Sequence, residues 1–186
     1  MFVTPSAPHS LYVPAPRHLQ SPVPAWSRRP GSYETRRDKP AYVRRRRPLP
    51  LSDAAVIRTQ QYRTLRAVDD LVARLFATLS RLREGSSTMA FFVSDNGYQW
   101  GEHGLLGKTY PYTESNHVPF YWWWPNHVAG GRVDRRLVTL ADIAPTVLQD
   151  ALVIPDLGTP VDGRSLHRGG ASRVRKNPSL DPVRPF

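Results

Sequence analysis

Phe91-Phe92-Val93-Ser94-Asp95-Asn96-Gly97-Tyr98-Gln99-Trp100-Gly101-Glu102-His103-Gly104-Leu105-Leu106-Gly107-Lys108 is the stretch whose pattern sets the expected architecture. A short apolar run stops at Ser-Asp-Asn-Gly, and a glycine-studded loop with one Glu, one His and one Lys follows. Runs of this kind read as a buried strand, and the break reads as its carboxyl end. In open α/β sheets ligands bind at that end. Asp95 offers a carboxylate and Asn96 an amide oxygen, donors that suit a hard cation, while Lys108 downstream suits an anion. The same residues also fit an Asn-Gly turn with a flexible loop behind it.

Upstream of this strand the pattern changes period. Tyr62, Leu65, Val68, Leu71, Val72, Leu75, Phe76, Leu79 and Leu82 fall at the spacing of one helical face. The spacing predicts a helix over 55–83, with Ser52 or Asp53 to cap its start and Gly85 to end it. Arg63, Asp70 and Arg74 are expected on its outer face, and Asp69-Asp70 reads as helix surface rather than a metal pair. The strand itself is expected over 88–94. A loop to about Asn116 leads to a second apolar run over 118–124, whose consecutive tryptophans suit a strand buried on both faces. Asp142 reads as an N-cap, with Pro145 in the first turn of a helix that ends near Ala151.

Charge and proline are concentrated at one end. The formal net charge is +11, and residues 1–50 hold ten Lys/Arg against only Glu34 and Asp38. Ten of the nineteen prolines lie there too, with Arg44-Arg45-Arg46-Arg47 near the end of the segment. Such a composition could make a basic arm for acidic surfaces. No stacking platform interleaves the arginines and no nucleic-acid fold motif follows, so residues 28–50 read as a solvated basic loop. No run reaches the apolar length of a membrane span. Cysteine is absent, which removes disulfides, thiolate metal sites and a cysteine nucleophile from this chain.

Several motifs, in order, resemble the sulfatase family. Ser-Asp-Asn-Gly-Tyr, Gly-Glu-His-Gly-Leu and Gly-Lys are followed by Tyr112, Glu114, Val118-Pro119 and Trp124-Pro125. The likeness continues through Asp142-Ile143-Ala144-Pro145-Thr146-Val147-Leu148 and Asp162-Gly163-Arg164-Ser165-Leu166, and upstream through Ser6-Ala7-Pro8-His9 and Val68-Asp69-Asp70. It is most similar to the N-acetylglucosamine-6-sulfatase branch. The resemblance implies an α/β fold of the alkaline phosphatase-like superfamily, a mixed sheet flanked by helices, with residues 1–166 as the second half of the catalytic domain. Residues 167–186 then read as a disordered tail.

The resemblance also implies roles. Asp95 and Asn96 match two oxygen ligands of a calcium ion, and Lys108 matches the lysine that contacts the sulfate. His9 matches the histidine placed to hydrogen-bond the sulfate or protonate the leaving oxygen, a task that suits an imidazole. Glu102 and His103 are expected to hold their loop by hydrogen bonds to its backbone. The substrate class implied is a sulfated carbohydrate or aryl sulfate. Two further calcium aspartates and the Cys/Ser-x-Pro/Ala-x-Arg motif, whose first residue becomes the formylglycine nucleophile, belong to the family's first half and are not found in this sequence. A truncated gene product is therefore expected, inactive by itself and open to complementation by the missing amino-terminal half. Two other readings stand beside it: a phosphoesterase of the same superfamily, and a non-catalytic pseudoenzyme or basic interaction protein.

Overall fold

The computed structural model of the chain describes residues 1–26, 30–32, 34–47, 50–151 and 162–167. The chain divides into two compact units, Met1–Gly131 and Arg132–Phe186. The expected tail from residue 168 onward lies outside the described residues.

The first unit is built on one long helix. A short helix α1 (Ala41–Arg44) precedes α2 (Leu51–Arg81), whose 31 residues include nearly all of the predicted span. Pro50 occupies the N-cap position with no side-chain cap, and Asp53 sits in the first turn, where the helix dipole favours an acid. The start therefore lies a little earlier than Ser52 or Asp53 would set it. The end is not made by Gly85 either. Arg83 takes a left-handed φ of 59°, its N–H donates to Ser80 O, and the Glu84 N–H donates to Leu79 O at 2.9 Å. That pair of bonds is a Schellman ending, with an arginine in the position that favours glycine.

The most buried face of α2 differs from the apolar stripe. Ala54, Arg58, Gln61, Thr64 and Val68 are the buried positions, and only Val68 belongs to the predicted set. Tertiary partners cause the shift. The Arg58 guanidinium lies 4.3 Å from the Tyr62 ring centroid and 5.6 Å from that of Trp100, and it donates to Pro24 O. Gln61 Oε1 accepts the Trp100 indole N–H at 2.6 Å. Arg63 donates to Ser21 O, and Asp70 accepts from Arg17 Nε at 2.7 Å and pairs with His18 Nε2 at 2.9 Å. Of the residues expected outward, Arg63 and Asp70 thus tie down the proline-rich segment, while Arg74 is exposed.

Strand β1 (Ala90–Val93) lies within the predicted strand, and Asp95 and Asn96 follow just beyond its carboxyl end. Next come β2 (Gln99–Trp100), β3 (Leu106–Gly107), α3 (Thr113–Asn116) and β4 (Phe120–Trp123). The sheets are small and antiparallel: β1 pairs with β4, and β2 with β3. β4 is not buried on both faces as its composition led us to expect. Phe91 stacks on Trp122 at 5.8 Å, and α2 covers one end of the opposite face through an edge contact between Phe76 and Trp123 at 4.9 Å. Phe92 and Tyr121 remain 44% and 66% exposed. An apolar run specifies burial only if a second layer is present to receive it.

In the second unit α4 (Ile143–Asp150) carries Pro145 in its first turn. Asp142 is not its side-chain N-cap. A turn over Leu140–Asp142 precedes the helix, and Thr139 and Asp142 make a reciprocal capping box across that turn. Asp142 Oδ1 also accepts the Arg164 N–H at 2.7 Å, and the Thr146 hydroxyl accepts the Leu166 N–H. Those bonds hold the Asp162-Gly163-Arg164-Ser165-Leu166 motif on the helix.

Candidate active site

The β2–β3 hairpin decides where Lys108 goes. Gln99 pairs with Gly107 and Trp100 with Leu106, so Lys108 leaves the hairpin beside Tyr98. From there its ammonium donates a 3.0 Å hydrogen bond to Asn96 Oδ1, twelve residues back. The hairpin turn is made tight by Gly101 at φ 108° and by Glu102, whose Oε2 accepts the Trp100 N–H at 2.6 Å. Glu102 is only 2% exposed, and Leu105 is fully buried beneath the turn. The expectation for Glu102, a carboxylate bonded to the backbone of its own loop, describes this contact.

Asn96 is held in turn by a local net. Its N–H donates to Asp95 Oδ1 at 3.0 Å, its amide donates to Gly97 O, and Ser94 Oγ donates to its carbonyl oxygen. Gly97 is needed for close approach rather than for a special dihedral. A Cβ there would lie 2.0 Å from Glu114 O, because the Gly97 N–H donates to Ser115 O on α3. The buried Ser115 hydroxyl then reaches Gln99 Oε1. Asp95 itself is exposed.

His9 is exposed, with Nδ1 3.2 Å from both the Ser10 hydroxyl and the Ser10 carbonyl oxygen. Among the described residues no hydrogen bond joins it to Asp95, Asn96 or Lys108. Its segment does reach the site: the hydroxyls of Tyr12 and Tyr98 are 2.9 Å apart. Burial, together with that hydrogen bond, holds the Tyr98 phenol protonated well above its ordinary range. The sequence reading quoted Tyr98 only as part of a motif and did not mention Tyr12, and a contact across 86 positions leaves no local signal.

His103 departs from its expected backbone role. Its backbone takes a left-handed φ of 57°, and the ring bonds carboxylates rather than the loop backbone. Nδ1 meets Glu34 at 2.5 Å and Nε2 meets Glu114 at 3.3 Å, and the ring stacks on Tyr112 with centroids 3.8 Å apart. One imidazole therefore fastens the basic segment to the loop that carries Lys108.

Calcium is the ion that the family resemblance attaches to Asp95 and Asn96. Hard-cation sites of that kind use about six to eight oxygens. Here Asn96 Oδ1 already accepts from an ammonium, and among the described residues no group of three or more His, Asp or Glu is arranged so that it could hold a metal ion. Among the described residues, the donors at Asp95 and Asn96 do not by themselves fit a calcium ion.

Comparison with known proteins bears on the family. Residues 1–151 match the sulfatase family. An extracellular sulfatase Sulf-1 homolog of Caenorhabditis elegans is 31% identical over 190 residues, covering 97% of this chain and 26% of its own length. A solved chain in complex with its substrate D-glucosamine-2-N,6-O-disulfate aligns with TM-score 0.54 and 30% identity, over 59% of this chain and 22% of that one. The phosphonate monoester hydrolase of Agrobacterium radiobacter aligns with TM-score 0.56 and 32% identity, over 61% and 22%. The chain thus spans about a quarter of the length of its curated relative. The family match over residues 1–151 covers most of the 186 residues, and the chain belongs to the sulfatase family.

Proposed function

We propose that this chain supplies the carboxyl-terminal half of a site that hydrolyses sulfate esters of sugars such as N-acetylglucosamine 6-sulfate. The observation that carries the proposal is the Lys108 ammonium held at the end of β1 by Asn96. There it can neutralise charge that builds on sulfuryl oxygens as the S–O bond breaks, the kind of fixed electrostatic help that dominates many hydrolases. His9 would hand a proton to the departing sugar oxygen. Calcium at Asp95 and Asn96 belongs to this reading only in company with further oxygens from outside this chain.

Neither residue replaces a nucleophile. The chain has no cysteine, and no serine stands in the Cys/Ser-x-Pro/Ala-x-Arg motif. Loss of a covalent nucleophile removes several orders of magnitude of rate, about 10⁶-fold in the best-studied hydrolase. The 186-residue chain alone is therefore expected not to turn over an aryl sulfate or N-acetylglucosamine 6-sulfate. Addition of a polypeptide carrying the first half of a sulfatase catalytic domain should restore turnover, and Lys108→Ala should abolish it again. Activity of the chain alone that is lost on Lys108→Ala would sink the half-site reading. A phosphoesterase reading is favoured by the alignment with phosphonate monoester hydrolase. An aryl phosphonate assayed in parallel decides it: faster turnover of the phosphonate would replace sulfate as the substrate.

A further inference from the structure

The segment over residues 34–47 carries seven Lys/Arg against Glu34 and Asp38. Its two acids are already engaged. Glu34 holds His103 and Lys39, and Lys39 also pairs with Asp38 at 3.0 Å. Arg44, Arg45, Arg46 and Arg47 are all exposed, and no carboxylate pairs with any of them among the described residues.

The arginines of this turn face solvent, and its backbone carries contacts that composition does not indicate. Val43 is fully buried. Arg36 Nη1 donates to Val43 O at 3.2 Å and to Arg46 O at 2.9 Å, which closes the turn from within. The same guanidinium packs on Gly104, where a Cβ would meet Nη1 at 2.6 Å. Arg46 lies over the Tyr110 ring at 5.3 Å from its centroid, and Tyr110 is two residues beyond Lys108. Three links therefore hold the arginine run against the Lys108 loop: Glu34 to His103, Arg36 to Gly104, and Arg46 to Tyr110. Four consecutive exposed arginines with no paired carboxylate among the described residues concentrate positive charge on this turn. An anionic chain laid across them neutralises that charge and releases its own counterions.

We propose that Arg44, Arg45, Arg46 and Arg47 form a second anion-binding surface beside the Lys108 site, and that it takes a polysulfated polysaccharide. The choice of sulfate over nucleic acid rests on the sulfatase reading of Lys108, since one chain would supply sulfates to both places. Guanidinium forks suit tetrahedral oxyanions. Tyr110 already lies under Arg46, which closes that face of the ring to a stacked base.

The test is binding of the full 186-residue chain to a short dextran sulfate, to N-acetylglucosamine 6-sulfate and to single-stranded DNA, across a salt series. The triple variant Arg44→Ser, Arg45→Ser, Arg47→Ser leaves Arg46 on Tyr110 and keeps the Arg36 bonds. Its affinity for dextran sulfate should fall by at least about tenfold at physiological ionic strength, and its log–log salt slope should drop by roughly two to three. Its response to the monosulfated sugar should not change. Should the triple variant unfold, the single charge reversal Arg45→Glu must weaken dextran sulfate binding in the same direction. Unchanged dextran sulfate affinity in a folded variant would overturn the proposal. So would DNA that binds as tightly with the same arginine dependence, because the surface would then belong to nucleic acid. The sulfatase reading fails separately: arginine-dependent dextran sulfate binding with no turnover in the complemented enzyme keeps the surface and removes the site.

Discussion

Lys108 Nζ and Asn96 Oδ1 lie 3.0 Å apart, although one residue belongs to a hairpin exit and the other to a strand end. The contact depends on two backbone devices, the β2–β3 register and the approach of α3 to Gly97. A methyl group at Gly97 would overlap the Glu114 carbonyl oxygen at 2.0 Å, a backbone atom that cannot rotate away. Gly97→Ala is therefore expected to cost about 1–3 kcal/mol, the usual range for overpacking. Thermal denaturation gives the loss, and the Lys108 side-chain NMR signal should move as its partner shifts. A variant as stable as the parent would show that the α3 backbone is not in contact with Gly97.

His103 is the second joint of this region. His103→Ala removes the largely buried ring that Glu34 and Glu114 share and leaves Glu114 facing a gap. A loss of about 1–3 kcal/mol is expected for such a pair of bonds. Hydrogen exchange of residues 34–47 should accelerate more than that of α2, because His103 links that segment to its support. Equal acceleration in both would assign His103 a purely global role.

Arg83 offers a change in the other direction. Its left-handed φ of 59° closes the Schellman ending of α2 without a glycine. For a residue with a Cβ that conformation costs about 1–2 kcal/mol, partly offset in Arg83→Gly by the greater entropy of unfolded glycine. A net gain of about 0.5–1 kcal/mol is expected. For a chain of this length that corresponds to a rise in Tm of roughly 1–4 °C. A fall in Tm would mean that the Arg83 side chain contributes more than the helix ending does.

Asp70 predicts a pH dependence. Hydrogen bonding to His18, then to Arg17, holds its carboxyl below the usual carboxylate range. A carboxyl lowered in the folded state contributes stability that is complete above its unfolded value of about 3.9 and is lost as pH falls through the folded value. Acidification should therefore release the turn over Pro16–His18 from α2, and Asp70→Asn should release it at neutral pH and remove the acid step. Side-chain NMR of the Arg17 Nε–H follows both. An Arg17 signal indifferent to pH and to Asp70→Asn would refute the latch.

The long helix, the strand before Ser94, the strand-end position of Asp95 and Asn96, and the sulfatase motifs were all legible in the linear chain. Each rests on neighbours in sequence: a 3.6-residue period, a short apolar run, a glycine-rich break. Which face of α2 is buried was not legible, because Arg58 and Gln61 enter the interior only where Tyr62, Trp100 and the Pro24 carbonyl are present to receive them. The anchored arginine turn, the Tyr12–Tyr98 hydroxyl pair and the bridge from His103 to Glu34 were hidden for the same reason. Their partners are 69 and 86 positions apart in two of these cases, and no local pattern encodes a contact that only chain return creates. Lys108 sits between the two kinds of information. Its residue type and motif are local, but its reach to Asn96 depends on a hairpin register that the folded backbone alone sets.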